Sequence, residues 1–138
     1  MKRVVKLILV DKDDKYLMLY RSAHPSFPND PDLPGGTLED NEEPTHALIR
    51  ELSEETGITL RIQTLERLCE SSAYDKGYIY YLYRANLNNH PGVSISWEHS
   101  RYEWLPLSDF IAKTHTAADK YMHMVYDFLS RNGSLPAS

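Results

Sequence analysis

One cysteine, Cys69, stands among 138 residues. That scarcity excludes an internal disulfide framework and a cysteine-built zinc site, and it leaves Cys69 as a small hydrophobe in a reducing compartment. Positive charge is short as well. Fifteen Lys and Arg against twenty Asp and Glu give a formal net charge of −5, so the basic footprint that a nucleic-acid polymer requires is missing. An acidic chain can still take up a small anion where metal ions neutralise the site. Long apolar runs are also lacking. The opening "MKRVVKLILVDKDD" begins with a basic pair, but its apolar stretch is broken by Lys6 and ends in charge with no cleavage site. No segment has the length of a membrane span. These absences lead to the expectation of a cytoplasmic protein with no membrane partner.

What is present is ordinary soluble protein, 41% hydrophobic and 25% charged, long enough to bury one sizeable core. "VVKLILV" and "YLMLYR" are β-rich runs joined by "DKDDK", the pattern of a hairpin. Prolines at 25, 28, 31 and 34 follow, in a spacing that suits a polyproline II turn or a stiff loop shaping the mouth of a pocket. A helix is predicted from Pro44 to Thr56, with proline at its start, acidic residues before it and Gly57 to stop it. "ITLRIQTLERLCESSAY", "GYIYYLYRANL" and "GVSISWEHSRYEWLPL" read as strands, mostly antiparallel. "PLSDFIAK" suggests a helical turn or more. "AADKYMHMVYDFLSRN" places Tyr121, Met122, Val125, Phe128 and Leu129 on one helical stripe, which packs on the sheet. The expectation is a single α/β (α+β) domain over 1–131, a mixed sheet with helices on its faces, and a frayed tail over 132–138.

"RELSEETG" holds the chemistry. On a helical wheel Glu51, Glu54 and Glu55 fall within about 100°, beside the core-facing arc of Leu48, Ile49 and Leu52. Like charges so close cost a few tenths of a kcal/mol per pair on an exposed helix. Converging hard oxygen ligands would instead suit Mg²⁺ or Mn²⁺.

The surroundings narrow that choice. Gly36, five residues, Glu42, seven residues and then Arg50, Glu51, Leu52, Glu54, Glu55, Gly57 and Ile58 reproduce the complete signature of the Nudix hydrolases. A chance match at a given start is on the order of one in a billion from average residue frequencies. The "LPGG" just upstream is similar too. This resemblance implies the Nudix fold, a mixed sheet sandwiched between helices. It also implies hydrolysis of a nucleoside diphosphate linked to another group, with Mg²⁺ as cofactor and Mn²⁺ able to substitute. Glu51, Glu54 and Glu55 match the metal-binding helix positions, Arg50 matches the arginine that orients a catalytic carboxylate, and the carbonyl of Gly35 resembles one that completes the metal shell. Glu42 matches a structural position. Many relatives add an acidic ligand beyond this motif. In "SWEHSRYEWLPL" Glu98 is the first choice for it and Glu103 the second, with His99 a candidate base.

Substrate signals are fainter. Arg21 and Tyr74 are the substrate-binding candidates, Tyr74 because it stands sixteen residues past the motif, as in relatives that act on dinucleoside polyphosphates. Relatives acting on ADP-ribose often carry a proline near there, and "ESSAYDKG" has none. Pro31 occupies the place where many relatives have a Trp, leaving Phe27, Tyr74, Tyr78 and Tyr80 as stacking candidates. The expected partner is a small nucleotide; a homodimer stays open. Two other classes remain: a catalytically silent nucleotide-binding module on the same fold, and an interaction protein whose acidic helix meets a basic partner.

Overall fold

A computed structural model describes residues 1–22 and 26–132. The expectations for the tail over 133–138 and for the start of the proline loop at Pro25 lie outside the described residues. The predicted hairpin forms from β1 (Lys2–Val10) and β2 (Tyr16–Arg21). Its turn is closed by the Asp11 carboxylate, which accepts the Asp13 and Lys15 N–H groups at 2.8 and 2.9 Å, while Asp14 adopts φ 59°.

Two short strands follow, β3 (Pro31–Asp32) and β4 (Gly35–Thr37). Pro31 pairs with Tyr20, so the proline spacing does not run on as one polyproline turn. Helix α1 (Pro44–Thr56) has the predicted bounds, starts on proline and ends where the Gly57 N–H reaches the Ser53 carbonyl. Next come β5 (Glu66–Ser71), β6 (Tyr78–Asn86) and β7 (His99–Leu105), then α2 (Leu107–Thr116) and α3 (Lys120–Arg131). Two expectations need correction. Residues 93–97 are not strand; Ser94 and Ser96 donate to the carbonyls of Thr56 and Glu55 and line the end of α1. Residues 58–65 are not strand either; Ile62–Thr64 form one 3-10 turn ahead of β5. The sheet is mixed and mostly antiparallel, as expected, with β1 and β6 its one parallel pair among the described residues, in register from Lys2↔Tyr78 to Val10↔Asn86.

The strands lie in the order β3-β2-β1-β6-β5, with β4 also on β1 and β7 also on β2. Alternation along β1 divides the core. Val4, Ile8 and Val10 join Tyr121, Met122, Val125 and Leu129 of α3 and Phe110 of α2. Val5, Leu7 and Leu9 join Ala47, Leu48 and Leu52 of α1. The sheet is therefore sandwiched, α1 on one face and α2 with α3 on the other, as expected. Lys6 shares the α3 face with Val4 and Ile8 and is nevertheless buried.

Candidate active site

A cleft of about 1040 Å³ opens where β1 changes partner from β4 to β2. Glu51 and Glu55 enter it from α1, one turn apart. Glu55 is 3% exposed, and its Oε1 accepts the Gly35 N–H at 2.8 Å. Two glycines make that approach feasible. A Cβ on Gly35 would meet the Val5 carbonyl at 2.0 Å, and one on Gly36 would stand 2.7 Å from the Glu51 carboxylate. Any side chain there would push β4 off β1 or displace the carboxylate.

Arg50 holds the outer side of the acidic turn. It grips Glu42 with two bonds of 2.9 and 3.0 Å, donates to Glu51 at 3.1 Å and stands 3.6 Å from Glu54. Glu42, closed by the Glu39 N–H at 2.8 Å, is thus the anchor that fixes Arg50. Glu54 is exposed and does not line the cleft. Among the described residues no three such ligands gather at one point; Glu51 is turned to Arg50 and Glu55 to the Gly35 N–H.

The opposite wall comes from the turn before β7. Glu98 lines the cleft, and its charge adds to the forces that raise Glu51. Its backbone is fixed: the Ser22 N–H donates to the Glu98 carbonyl at 3.0 Å, and the Ser22 hydroxyl to the Trp97 carbonyl at 2.8 Å. Residues more than forty apart in sequence therefore face one cavity. Glu103 lies elsewhere, accepting the Tyr20 hydroxyl beside Arg101.

Beneath the cleft Asp32 is the hub of a buried polar cluster. Its Oδ1 accepts from Lys6 at 3.0 Å, from Arg21 at 3.2 Å and from the Tyr121 hydroxyl; its Oδ2 faces His99 Nε2 at 2.9 Å. Arg21 also reaches Asp119 at 2.9 Å. Burial opposes the charge on Asp32, but Lys6, the His99 hydrogen bond and Arg21 outweigh it and hold the carboxyl well below the usual range. The carboxylates above differ. Burial is the largest influence on Glu55, with Asp32 and Glu51 adding to it, and pushes the carboxyl up to about 8 despite Lys6 and the Gly35 N–H. Glu51 is raised in the same direction, by burial first and then by Glu54 and Glu98. Carboxyls whose ionisation the fold opposes are ones a divalent cation would favour in their charged form, and the oxygens of Glu51, Glu55 and Glu98 are the hard donors that fit Mg²⁺ or Mn²⁺.

The cleft thus brings together Gly35, Glu51, Glu55 and Glu98 of the sequence candidates, with Arg50 just outside. Arg21 lines it too, but its guanidinium is committed to Asp32 and Asp119. Tyr74 is a correction. It does not line the cleft; its hydroxyl donates to Asp127 of α3 at 2.7 Å and its ring packs on the α3-side core. His99 is no exposed base, since it is buried against Asp32. Sequence reasoning missed Lys6, Asp32 and Trp97. Lys6 did leave a signal, a charge at an inward position of a strand. Asp32 left none until its partners were placed.

Comparison with known proteins accords with this geometry. The NUDIX domain family model matches residues 1–125. None of the curated proteins matches the chain. Among solved structures, a MutT protein from Methanosarcina mazei Go1 is 24% identical, with 95% of this chain and 94% of that one covered and a TM-score of 0.74. A Caenorhabditis elegans Ap4A hydrolase is 23% identical over 94% and 95% of the two chains, with a TM-score of 0.67. A bifunctional NMN adenylyltransferase/ADP ribose pyrophosphatase from Francisella tularensis, complexed with AMP and a manganese ion, is 26% identical, with a TM-score of 0.70. There 95% of this chain is covered but only 41% of the other, so this chain spans less than half of that relative's length.

Proposed function

The chain belongs to the NUDIX domain family, hydrolases of phosphoanhydride bonds, and from that premise we propose a divalent-metal-dependent pyrophosphohydrolase. Its substrate would be a nucleoside diphosphate linked to a second group. Ap4A hydrolase and ADP ribose pyrophosphatase among the similar structures mark the range of such substrates. The observation that carries the reading is the meeting of Glu51, Glu55 and Glu98 in one cleft, with two carboxyls raised by burial and mutual repulsion.

A diphosphate is a slow electrophile wrapped in negative charge. Bound at Glu51, Glu55, Glu98 and the Gly35 carbonyl, Mg²⁺ or Mn²⁺ would screen that charge and acidify a water, with Glu54 outside the cleft beside Arg50. The chain's own groups then do the rest. Water attacks one phosphorus, the bond to the bridging oxygen breaks, and the proton passes to a carboxylate of the Glu51–Glu98 pair. The bridging oxygen leaves on the second phosphate, giving a nucleoside monophosphate and the phosphorylated second group. Arg50, itself fixed by Glu42, keeps Glu51 in place, and Gly36 leaves the Glu51 carboxylate room beside β4.

The test is a panel of nucleoside diphosphate derivatives, including ADP-ribose, sugar nucleotides and dinucleoside polyphosphates, each with Mg²⁺, Mn²⁺ and EDTA. Metal-dependent release of a nucleoside monophosphate from one of them is expected. Binding without turnover across the panel would instead establish a silent module.

A further inference from the structure

Among the described residues Trp97 is the most exposed large hydrophobic side chain, at 86%, ahead of Met1 at 82%. A tryptophan left in water keeps roughly 200 Å² of apolar surface uncovered, and the informative question is what covers it. The other tryptophan, Trp104, behaves differently: it packs on the α1-side core and against the His90 ring. Trp97 lines the cleft. Its backbone does not wander, because Ser22 and Ser96 fix the turn on either side.

Position then identifies the ligand. Trp97 precedes Glu98, so the two Cα atoms are about 3.8 Å apart. A phosphate held among Glu51, Glu55 and Glu98 therefore has an indole within one nucleoside's reach. The Trp97 backbone carbonyl is held at the end of β2, where it accepts the Ser22 hydroxyl. Phe27, in the loop between β2 and β3, lines the same cleft, with the Arg21 guanidinium 5.4 Å from its ring. Tyr78, Tyr80 and Tyr121 line the cleft as well, but Phe27 and Tyr78 are half-buried and Tyr80 and Tyr121 buried, so Trp97 is the lining ring with the most open face for a planar group.

We propose that the Trp97 indole is the stacking surface for the substrate's nucleobase, an inference that rests on the hydrolase reading above. A base covers the indole and so loses water on both faces, and stacking of this kind tolerates any base because each has a π-face. The contact is made equally in ground and transition states, so it acts on KM and leaves kcat in place.

In the Trp104→Phe chain Trp97 is the sole tryptophan. Adenosine 5′-(α,β-methylene)diphosphate with Mg²⁺ should quench its fluorescence, whereas methylenediphosphonate, which lacks a base, should not. On the best substrate of the panel, Trp97→Ala should raise KM roughly five- to a hundredfold with kcat within about twofold, and Trp97→Phe should recover most of the loss. An unchanged KM in Trp97→Ala overturns the proposal. So does a Trp104→Phe chain that binds the analogue by calorimetry without quenching, or that does not bind it. The two readings fail separately: quenching with no hydrolysis of any derivative would sink the hydrolase and keep the stacking surface.

Discussion

Two groups of charges lie within one cavity, and the fold treats them in opposite ways. On the floor, Asp32 is surrounded by Lys6, Arg21, His99 and Tyr121, and every charge has a partner. On the wall, half-buried Glu51 and buried Glu55 stand beside other carboxylates, and the positive charge of Arg50 and Lys6 does not offset burial and repulsion. The floor binds strands to α3 and contributes cohesion. The wall costs the chain stability unless something from outside is bound. A residue's burial alone does not distinguish these roles; the sign of its pKa displacement does.

Four measurements would sharpen or break that contrast, in falling order of effect. Replacing Glu55→Gln keeps the Gly35 N–H bond feasible but removes the charge. Turnover should fall by about two to four orders of magnitude while metal-free stability, read by urea unfolding, stays level or rises. Near-normal turnover would remove Glu55 from the reaction.

Asp32→Asn should do the reverse to stability. It leaves Lys6 and Arg21 buried without their shared counterion, at a cost of about 3–5 kcal/mol, measurable as a lowered urea midpoint. A change below 1 kcal/mol would mean that the floor is not a structural cluster.

The third measurement concerns pH. Glu55, raised in the fold to about 8, contributes stability that is fully present below its unfolded value and is lost as pH rises through 8. Asp32, depressed, contributes stability present above its unfolded value and lost as pH falls further. The EDTA-treated chain should therefore lose thermal stability between pH 5.5 and 8.5, and Glu55→Gln should flatten that slope. Mn²⁺ should raise Tm more at the alkaline end, where it meets no competing proton. An equal metal shift at both pH values would argue against linked proton release.

The smallest effect is assigned to a residue outside the cavity. Tyr74→Phe removes one hydrogen bond to Asp127, worth about 0.5–1.5 kcal/mol, and should leave kcat and KM unchanged. A raised KM would return Tyr74 to the site.

The central helix was legible in the sequence to the residue, because Pro44, Gly57 and the apolar positions between them are local signals. The carboxylate wall was legible for a different reason: spacing within one helix determines which side chains share a face. Glu98 could be picked out only by resemblance, and what places it opposite Glu51 is a pair of Ser22 hydrogen bonds that no periodicity reports. The floor was not legible. Lys6, Arg21, Asp32, His99 and Tyr121 come from five separate elements, and their pairing depends on strand order. Trp97 was passed over because one aromatic in a polar stretch looks the same whether it ends up covered or bare. The parallel pairing of β1 with β6 was hidden likewise, since alternation along a strand says nothing of its neighbour's direction.

That parallel pairing has a consequence for how the protein is made. About half the chain separates β1 from β6, and closing so long a loop costs entropy before any contact repays it. During synthesis the N-terminal hairpin and α1 leave the ribosome first. β1 then waits with one edge unpaired until the 78–86 segment emerges, and Glu98 follows later still. The candidate site is therefore completed late in folding, and in the interval the nascent chain shows a bare apolar strand edge, a ready target for a chaperone or for a neighbouring copy.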